Sequence, residues 1–192
     1  MKTKLALLLV LLQPGLLNSN ATRFSRKTPA NSLRQADTTL KISRPDPAIN
    51  TIDSLLKTFN VDDQARRKRV AQAIVSSSRK HNVDARLIAS VMIVESRGNP
   101  FAISHSDAVG IMQIHVPTWA QTLDEEGINL FKIEDNVDFG VRILKHYVEQ
   151  YGHDEGIKRY NGWNIGDPES AQNAEAYLRK VQRVYLSAIP TQ

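Results

Sequence analysis

The segment from Ala85 to Glu95 constrains the fold most, because it has the pattern of a helix that is apolar on nearly every side. Its apolar members are Leu87, Ile88, Val91, Met92, Ile93 and Val94. Asp84 precedes the segment and is a residue type favoured at a helix N-cap. A helix without a polar face is stable in water only when other elements surround it. The sequence therefore predicts a central, buried helix with further helices packed around it.

Three further segments have the periodicity of helices that bury one face. The first starts after Val61, with acidic residues at its beginning and the basic residues 79–81 at its end, an order that suits the helix dipole. The second runs from about Val137 to Gln150. The last begins at Asp167-Pro168, a cap followed by a first-turn proline. The expected buried face of this last helix consists of Ala174, Tyr177, Val181 and Val184.

Strand signals are few, so the expected fold class is mainly α. We expect one helical domain over residues 61–192, with a loop-rich, hairpin-bearing stretch from Gly98 to Gln113. Residues 22–60 are rich in Ser, Thr, Asn, Arg and Pro and show little periodicity, which predicts a poorly ordered lead-in. Within it, Ile52 to Phe59 is expected to form a short helix that docks on the domain.

Residues 1–21 have the pattern of a secretory signal peptide. Two lysines precede an apolar run from Leu5 to Leu12, and the small residues at 19–21 predict cleavage after Ala21. Gln13-Pro14-Gly15 interrupts the run, which is too short for a good transmembrane span. An uncleaved amphipathic anchor is the alternative. We expect an exported protein that is periplasmic or secreted.

The charge and the reactive side chains exclude several classes of protein. The formal charge is +5, and removal of residues 1–21 leaves 23 basic against 20 acidic residues, or +3. This excess is too mild to predict nucleic-acid binding, and the block Arg66 to Arg69 is expected to be a solvated helix face. The sequence has no cysteine, which excludes thiol catalysis, and its five histidines lack the spacing of metal ligands. No metal or cofactor is expected.

Glu95 is the residue that most strongly suggests chemistry. It ends the apolar helix, and Ile88 and Met92 share its face. Apolar neighbours remove solvation from the carboxylate, and the helix C-terminus adds partial negative charge. Both effects favour the protonated form, which a general acid requires at neutral pH. The alternative for a glutamate in isolation is an exposed residue at the end of a helix.

The residues that follow Glu95 resemble the soluble lytic transglycosylases, a family that shares its fold with goose-type lysozymes. Four blocks carry this resemblance in the family's order, from about Val70 to Tyr185. They are Glu95-Ser96 with Asn99-Pro100; Ser104 with Gly110, Met112 and Gln113, followed by Pro117 and Thr118; Asn136 with Gly140 and Leu144; and Tyr160-Asn161-Gly162 with Glu175, Tyr177 and Val181. Arg159, Trp163 and His115 depart from the family pattern, in which residues 159 and 115 are usually Ala and an apolar residue.

The resemblance implies cleavage of the β-1,4 bond between N-acetylmuramic acid and N-acetylglucosamine in peptidoglycan. Glu95 would protonate the bridging oxygen and then, as a base, take the proton of the C6 hydroxyl of the same muramic acid. That hydroxyl closes a 1,6-anhydro ring, so the attack is intramolecular. Ser104 and Gln113 would bind the sugar, and Asn161 would shape the pocket. Tyr160 and Tyr177 are ordinary core tyrosines or site residues, with Tyr160 the preferred partner of the acid.

Two alternatives to this function stay open at this stage. A goose-type lysozyme-like hydrolase would need a second carboxylate, for which Asp107 is the candidate, although a surface turn is its expected place. A non-catalytic wall-binding or assembly protein would not depend on Glu95. Peptidoglycan strands are the expected partner and nucleic acid is not. The resemblance also suggests a role in wall remodelling or in wall opening for a secretion, conjugation or pilus apparatus, and we expect a monomer.

Overall fold

The computed structural model describes residues 46–163 and 168–188. The expected signal peptide 1–21, the lead-in as far as residue 45, and the expected cap Asp167 lie outside these ranges. Seven helices and one two-stranded hairpin form the described part of the chain. They are α1 Pro47–Thr58, α2 Gln64–His81, α3 Ala85–Ser96, β1 Ala108–Val109, β2 Ile114–His115, α4 Val116–Glu125, α5 Ile133–Tyr151, α6 His153–Tyr160 and α7 Pro168–Ser187. The predicted mainly α class is confirmed.

Helix α3 lies at the centre, as its apolar pattern predicts. Residues 87–93 are all buried, and Ile88, Val91 and Met92 have no exposed surface. Helices α7, α1 and α2 pack against α3. The side chain of Asp84 accepts a hydrogen bond from the backbone N–H of Arg86 at 2.8 Å, which confirms the predicted N-cap. The apolar helix is therefore the core around which the domain folds.

The predicted amphipathic helices α2 and α7 also occur where the sequence places them. Asp63 caps α2, and the basic residues 79–81 occupy its last turn. In α7, the predicted residues Ala174, Tyr177, Val181 and Val184 are buried. Helix α5 begins at Ile133, four residues before the expected start at Val137, because the side chain of Ile133 is itself buried in the core. Among the described residues, no helix is long and apolar enough to cross a membrane.

Helix α1 shows that the folded domain begins before residue 61. Asp46 caps this helix by accepting a hydrogen bond from the N–H of Ala48 at 3.0 Å, and Pro47 occupies its first turn. Ile52, Leu55 and Leu56 are buried against the core. The short docking helix expected at Ile52 to Phe59 is thus longer than expected, and residues 46–60 are part of the fold rather than of a poorly ordered lead-in.

Docking of α1 also corrects the expectation for Arg67, which is only 7% exposed rather than part of a solvated face. Its Nε–H donates to the carboxylate of Asp53 on α1 at 2.9 Å. Its Nη1 donates to the carbonyl oxygens of Val61 and Asp62, at 2.9 and 3.2 Å. A buried guanidinium requires such partners, because an unpaired buried charge is strongly destabilising. Arg67 therefore fixes the connection between α1 and α2.

Candidate active site

Glu95 is placed by the way in which α3 ends. Arg97 adopts a left-handed conformation with φ of 52°, and its N–H donates to the carbonyl of Ile93, which terminates the helix. The hydroxyl of Ser96 donates to the carbonyl of Ile111 at 2.7 Å. This bond ties the helix end to the turn that joins β1 and β2. The carboxyl group of Glu95 is thereby fixed at the base of an open cleft.

The cleft has a volume of about 510 Å³ and is lined by side chains from α3, the hairpin, α4, α5 and α6. Four of the predicted site residues line it together with Glu95, namely Ser104, Gln113, Tyr160 and Asn161. Its other lining residues include Ser106, His115, Thr118, Trp119, Tyr147 and Arg159. Met112 does not line the cleft but is fully buried beneath it, as expected for a packing residue. The fold thus brings residues far apart in the sequence to one surface.

Among the described residues, the carboxyl group of Glu95 has one hydrogen-bond partner, Tyr177. The hydroxyl of Tyr177, on α7, donates to Oε1 of Glu95 at 2.6 Å. Burial raises the pKa of Glu95 from its ordinary 4.5 to about 7, and the hydrogen bond from Tyr177 acts in the opposite direction. Burial and the neighbouring Glu95 charge hold the pKa of Tyr177 well above its usual range, so Tyr177 stays a donor. Glu95 is therefore protonated in a large fraction of molecules at neutral pH.

Tyr160 does not hydrogen-bond the acid, although the sequence made it the preferred partner. Its hydroxyl instead donates to the backbone carbonyl of Met112 at 2.8 Å. Burial and the charge of Glu95 raise the pKa of Tyr160 well above its usual range. Gly140 on α5 permits this arrangement, since a Cβ at that position would lie 3.1 Å from the Tyr160 hydroxyl and 2.7 Å from Cβ of Met112. Tyr160 holds the cleft wall, and Tyr177 contacts the acid.

Ser104 and Gln113 organise the loop around the hairpin as well as lining the cleft. The hydroxyl oxygen of Ser104 accepts from the backbone N–H groups of Ser106 and Ala108, at 3.2 and 3.0 Å. The side-chain amide of Gln113 donates to the carbonyls of Gly110 and Ala102, at 2.9 and 3.2 Å. Its carbonyl oxygen has no partner among the described residues and is available to a hydroxyl of a ligand. Asn161, exposed at the end of α6, completes this side of the cleft.

Asn136 supports the site without lining it, a role that was not predicted from the sequence. It is fully buried on α5. Its Oδ1 accepts from the N–H of Met112 at 2.8 Å, and its Nδ2 donates to the carbonyls of Val109 and Leu130, at 3.0 and 2.9 Å. Gly110 makes room for this side chain, because a Cβ there would lie 2.1 Å from Nδ2. One side chain thus ties the hairpin to α5.

A sequence model of the transglycosylase SLT domain matches residues 72–184, more than half of the chain. The chain belongs to this family. The match contains every candidate site residue from Glu95 to Tyr177. The family resemblance inferred from the four sequence blocks is therefore confirmed.

Individual relatives agree with this assignment. Membrane-bound lytic murein transglycosylase E of Buchnera aphidicola is 38% identical over 69 residues, which are 34% of this chain and 31% of the relative. Membrane-bound lytic murein transglycosylase C of Photorhabdus laumondii is 28% identical over 147 residues, or 72% of this chain and 39% of the relative. The Klebsiella pneumoniae protein of the same name is 53% identical over 38 residues, which are 20% of this chain and 11% of the relative. These matches span between about a tenth and two-fifths of the length of the curated relatives.

Glu95 is the one carboxylate that lines the cleft of this SLT domain in the described parts of the chain. Asp107, the candidate second acid of a hydrolase, is exposed and does not line the cleft. It adopts a left-handed turn conformation with φ of 58°, and its carbonyl accepts from the N–H of Val116 at 3.0 Å. Asp107 therefore lies in a turn immediately before β1. Within residues 46–163 and 168–188, no three metal-binding side chains cluster.

Proposed function

We propose that this protein is a peptidoglycan lytic transglycosylase that leaves 1,6-anhydromuramic ends. The observation that carries the proposal is a single, partly buried carboxylic acid in a cleft that no other described carboxylate lines. Glycosidases that hydrolyse with two carboxylates need both groups at the scissile bond. A site with one acid suits a reaction in which the substrate supplies its own nucleophile.

In the first step, Glu95 donates its proton to the oxygen between N-acetylmuramic acid and N-acetylglucosamine. A pKa of about 7 means that the protonated form is well populated at neutral pH. The carboxylate that results accepts the 2.6 Å hydrogen bond from Tyr177, which stabilises the developing negative charge. The acetamido group of the muramic acid stabilises the positive charge that develops at its anomeric carbon.

In the second step, the Glu95 carboxylate removes the proton of the C6 hydroxyl of the same muramic acid. The C6 oxygen bonds to the anomeric carbon, and Glu95 regains its starting proton. A pKa near neutrality suits both roles, because neither proton transfer is strongly uphill. Ring closure requires that the sugar be held in one orientation. The free amide oxygen of Gln113 and the exposed side chain of Asn161 are placed to supply that orientation, together with Ser104.

We further place this reaction outside the cytoplasm, in local remodelling or opening of the wall for an envelope-spanning machine. The signal-peptide pattern of residues 1–21 supports export. Relatives whose names specify murein transglycosylases support the wall as the substrate. The glycan strands of peptidoglycan are the partner that the cleft would bind.

The test is digestion of purified peptidoglycan, with identification of the released ends by mass spectrometry. We expect 1,6-anhydromuramic products from the parent protein and a loss of at least about 100-fold for Glu95→Gln, since loss of a general acid has this size. Glu149→Gln removes an exposed glutamate on α5 and serves as the matched control, with unchanged activity. Reducing muramic ends would establish a hydrolase instead, and no release by the parent would favour a wall-binding protein.

A further inference from the structure

Arg159 lies in the same cleft as Glu95, in the last turn of α6. Its guanidinium carbon is 4.0 Å from the ring centroid of Tyr151 and 5.2 Å from that of Trp163. Contact with two aromatic rings restrains the guanidinium by cation–π attraction and leaves its N–H edge available for in-plane hydrogen bonds. The arginine is therefore held in position by groups that do not neutralise its charge.

The donors of this arginine lack acceptors within the described parts of the chain. No carboxylate there lies within ion-pair distance of Arg159, and its Nε–H is buried without a hydrogen-bond partner. The indole N–H of Trp163 beside it is also buried and has no hydrogen-bond partner among the described residues. Leaving a buried donor unpaired costs about 1–3 kcal/mol, and more for a charged group. Neither of these two N–H groups has surface that a ligand can reach, so the Nη groups of Arg159, which are not buried, are the donors available to a ligand in the cleft.

The immediate neighbour of Arg159 is paired, in contrast to Arg159 itself. Lys158 forms ion pairs with Glu155 at 3.0 Å and with Glu175. Two acidic side chains thus lie beside this turn, and both engage Lys158 rather than Arg159. Position 159 also departs from the family pattern noted above, so the SLT fold does not itself require a cation there. Among residues 46–163 and 168–188, no acidic side chain neutralises the charge of Arg159, which is therefore available to a ligand.

Arg159 is not a partner of the acid. The hydrogen bond to Glu95 comes from Tyr177, and Arg159 and Glu95 form no ion pair. A guanidinium that paired with Glu95 would favour its anion and oppose its role as an acid. The two groups therefore have separate tasks on one cleft.

We propose that Arg159 is a substrate-binding residue that takes a carboxylate carried by the muramic acid residue of the glycan strand, an inference that rests on the proposed function. A carboxylate accepts hydrogen bonds only, and its two oxygens match the fork of a guanidinium. Muramic acid can present a carboxylate in two ways. The stem peptide carries carboxylates, and on strands that have lost the peptide the lactyl group has a free one. Arg159 would then select for strands by the charge of their substituent.

The test compares three soluble glycan substrates with the parent protein and its variants. The first carries intact stem peptides, the second has lost them and bears free lactyl carboxylates, and the third is the second with those carboxylates converted to neutral methylamides. Arg159→Gln removes the charge, Arg159→Lys keeps it without the fork, and Arg66→Gln removes an arginine from the exposed end of α2 as the control. Turnover gives KM and kcat, and the same substitutions in a Glu95→Gln background give Kd without turnover. Circular dichroism and thermal melting verify folding.

We expect Arg159→Gln to raise KM and Kd about 10-fold or more for a carboxylate-bearing strand, since charged hydrogen bonds are of this strength. The change in kcat should be within about 2-fold, and Arg159→Lys should recover part of the loss because it keeps the charge. The neutral strand should bind the parent and Arg159→Gln alike. A loss confined to the peptide-bearing strand assigns the stem peptide, and a loss on the peptide-free strand assigns the lactyl group.

Two results would overturn this inference. One is an unchanged Kd for Arg159→Gln on both charged strands, and the other is an equal loss on the neutral strand, which would indicate a structural role. Neither result would affect the proposed function, which fails only when the parent releases no anhydromuramic product.

Discussion

Replacement of Tyr177 by phenylalanine should move the pH range in which the protein is active. The substitution removes the hydroxyl that donates to Glu95 at 2.6 Å and keeps the ring that fills the core. A hydrogen bond to a charged acceptor contributes about 1.5–3 kcal/mol, and one pKa unit corresponds to about 1.4 kcal/mol. Because this bond stabilises the anion, its loss should raise the pKa of Glu95 by about 1–2 units from its value near 7.

The activity profile reports this change directly. Since Glu95 must start the reaction protonated, kcat/KM of the parent should fall as the pH rises through about 7. In Tyr177→Phe the same fall should occur about 1–2 pH units higher, and the plateau should be lower because the new carboxylate lacks a donor. The assay is the initial rate of anhydromuropeptide release between pH 5 and 9. A substrate-free titration of the glutamate carboxyl carbon by NMR should show the same shift.

Tyr160→Phe is the matched control, since it also removes one buried hydroxyl at the cleft. That hydroxyl donates to the carbonyl of Met112 and not to the acid. Tyr160→Phe should therefore not change the pH at which kcat/KM falls, which stays near 7. An unshifted profile for Tyr177→Phe, or an equal shift in both variants, would refute the assignment of Tyr177 as the group that sets the pKa of Glu95.

Three further outcomes follow from the same contacts. The pKa of Glu95 is about 7 in the folded protein against an ordinary 4.5, so the stability from its protonated form is full below about pH 4.5 and is lost as the pH rises through 7. Glu95→Gln should therefore have a higher free energy of unfolding than the parent, measured by urea denaturation, by up to about 3 kcal/mol at pH 8 and by little at pH 4.5. Asn136→Ala leaves the Met112 N–H and two carbonyls unpaired and should lower the free energy of unfolding by at least about 3 kcal/mol, whereas the exposed Lys68→Ala should not. Gly140→Ala places a Cβ 2.7 Å from Met112 and should lower both the melting temperature and the activity by displacing Tyr160. If neither value falls, the close approach of Met112 and Tyr160 to Gly140 is contradicted.

The elements that could be predicted from the sequence are those whose signals are local. Asp63 and Asp84 mark the starts of α2 and α3 because a cap acts within three residues. Helix α6 was missed because Gly156 lies inside it, and glycine weakens a helix. The structure gives the reason for this glycine, since a Cβ there would lie 2.6 Å from the backbone of Val148 on α5. Close crossing of two helices is a tertiary requirement that local propensity does not report.

The candidate site divides in the same way. Glu95 could be identified because its apolar helix and the four sequence blocks both indicate it. The preference for Tyr160 over Tyr177 as the partner of the acid was wrong, because the partner depends on how α7 packs against α3. Arg67 was misassigned for a related reason. Its buried partners belong to α1 and to the connection that follows it, so its burial becomes visible only once that helix is docked.

The chemistry of Glu95 depends on the walls of the cleft as much as on its hydrogen bond. Burial is the larger influence on its pKa, and Ser96 and Asn136 hold the loop that forms one wall. A substitution that loosens this wall admits water, stabilises the anion and lowers the pKa of Glu95 toward 4.5. The activity profile should then shift to lower pH, which is the opposite direction from Tyr177→Phe. The sign of the shift therefore separates a lost hydrogen bond from lost burial for any variant of this site that still folds.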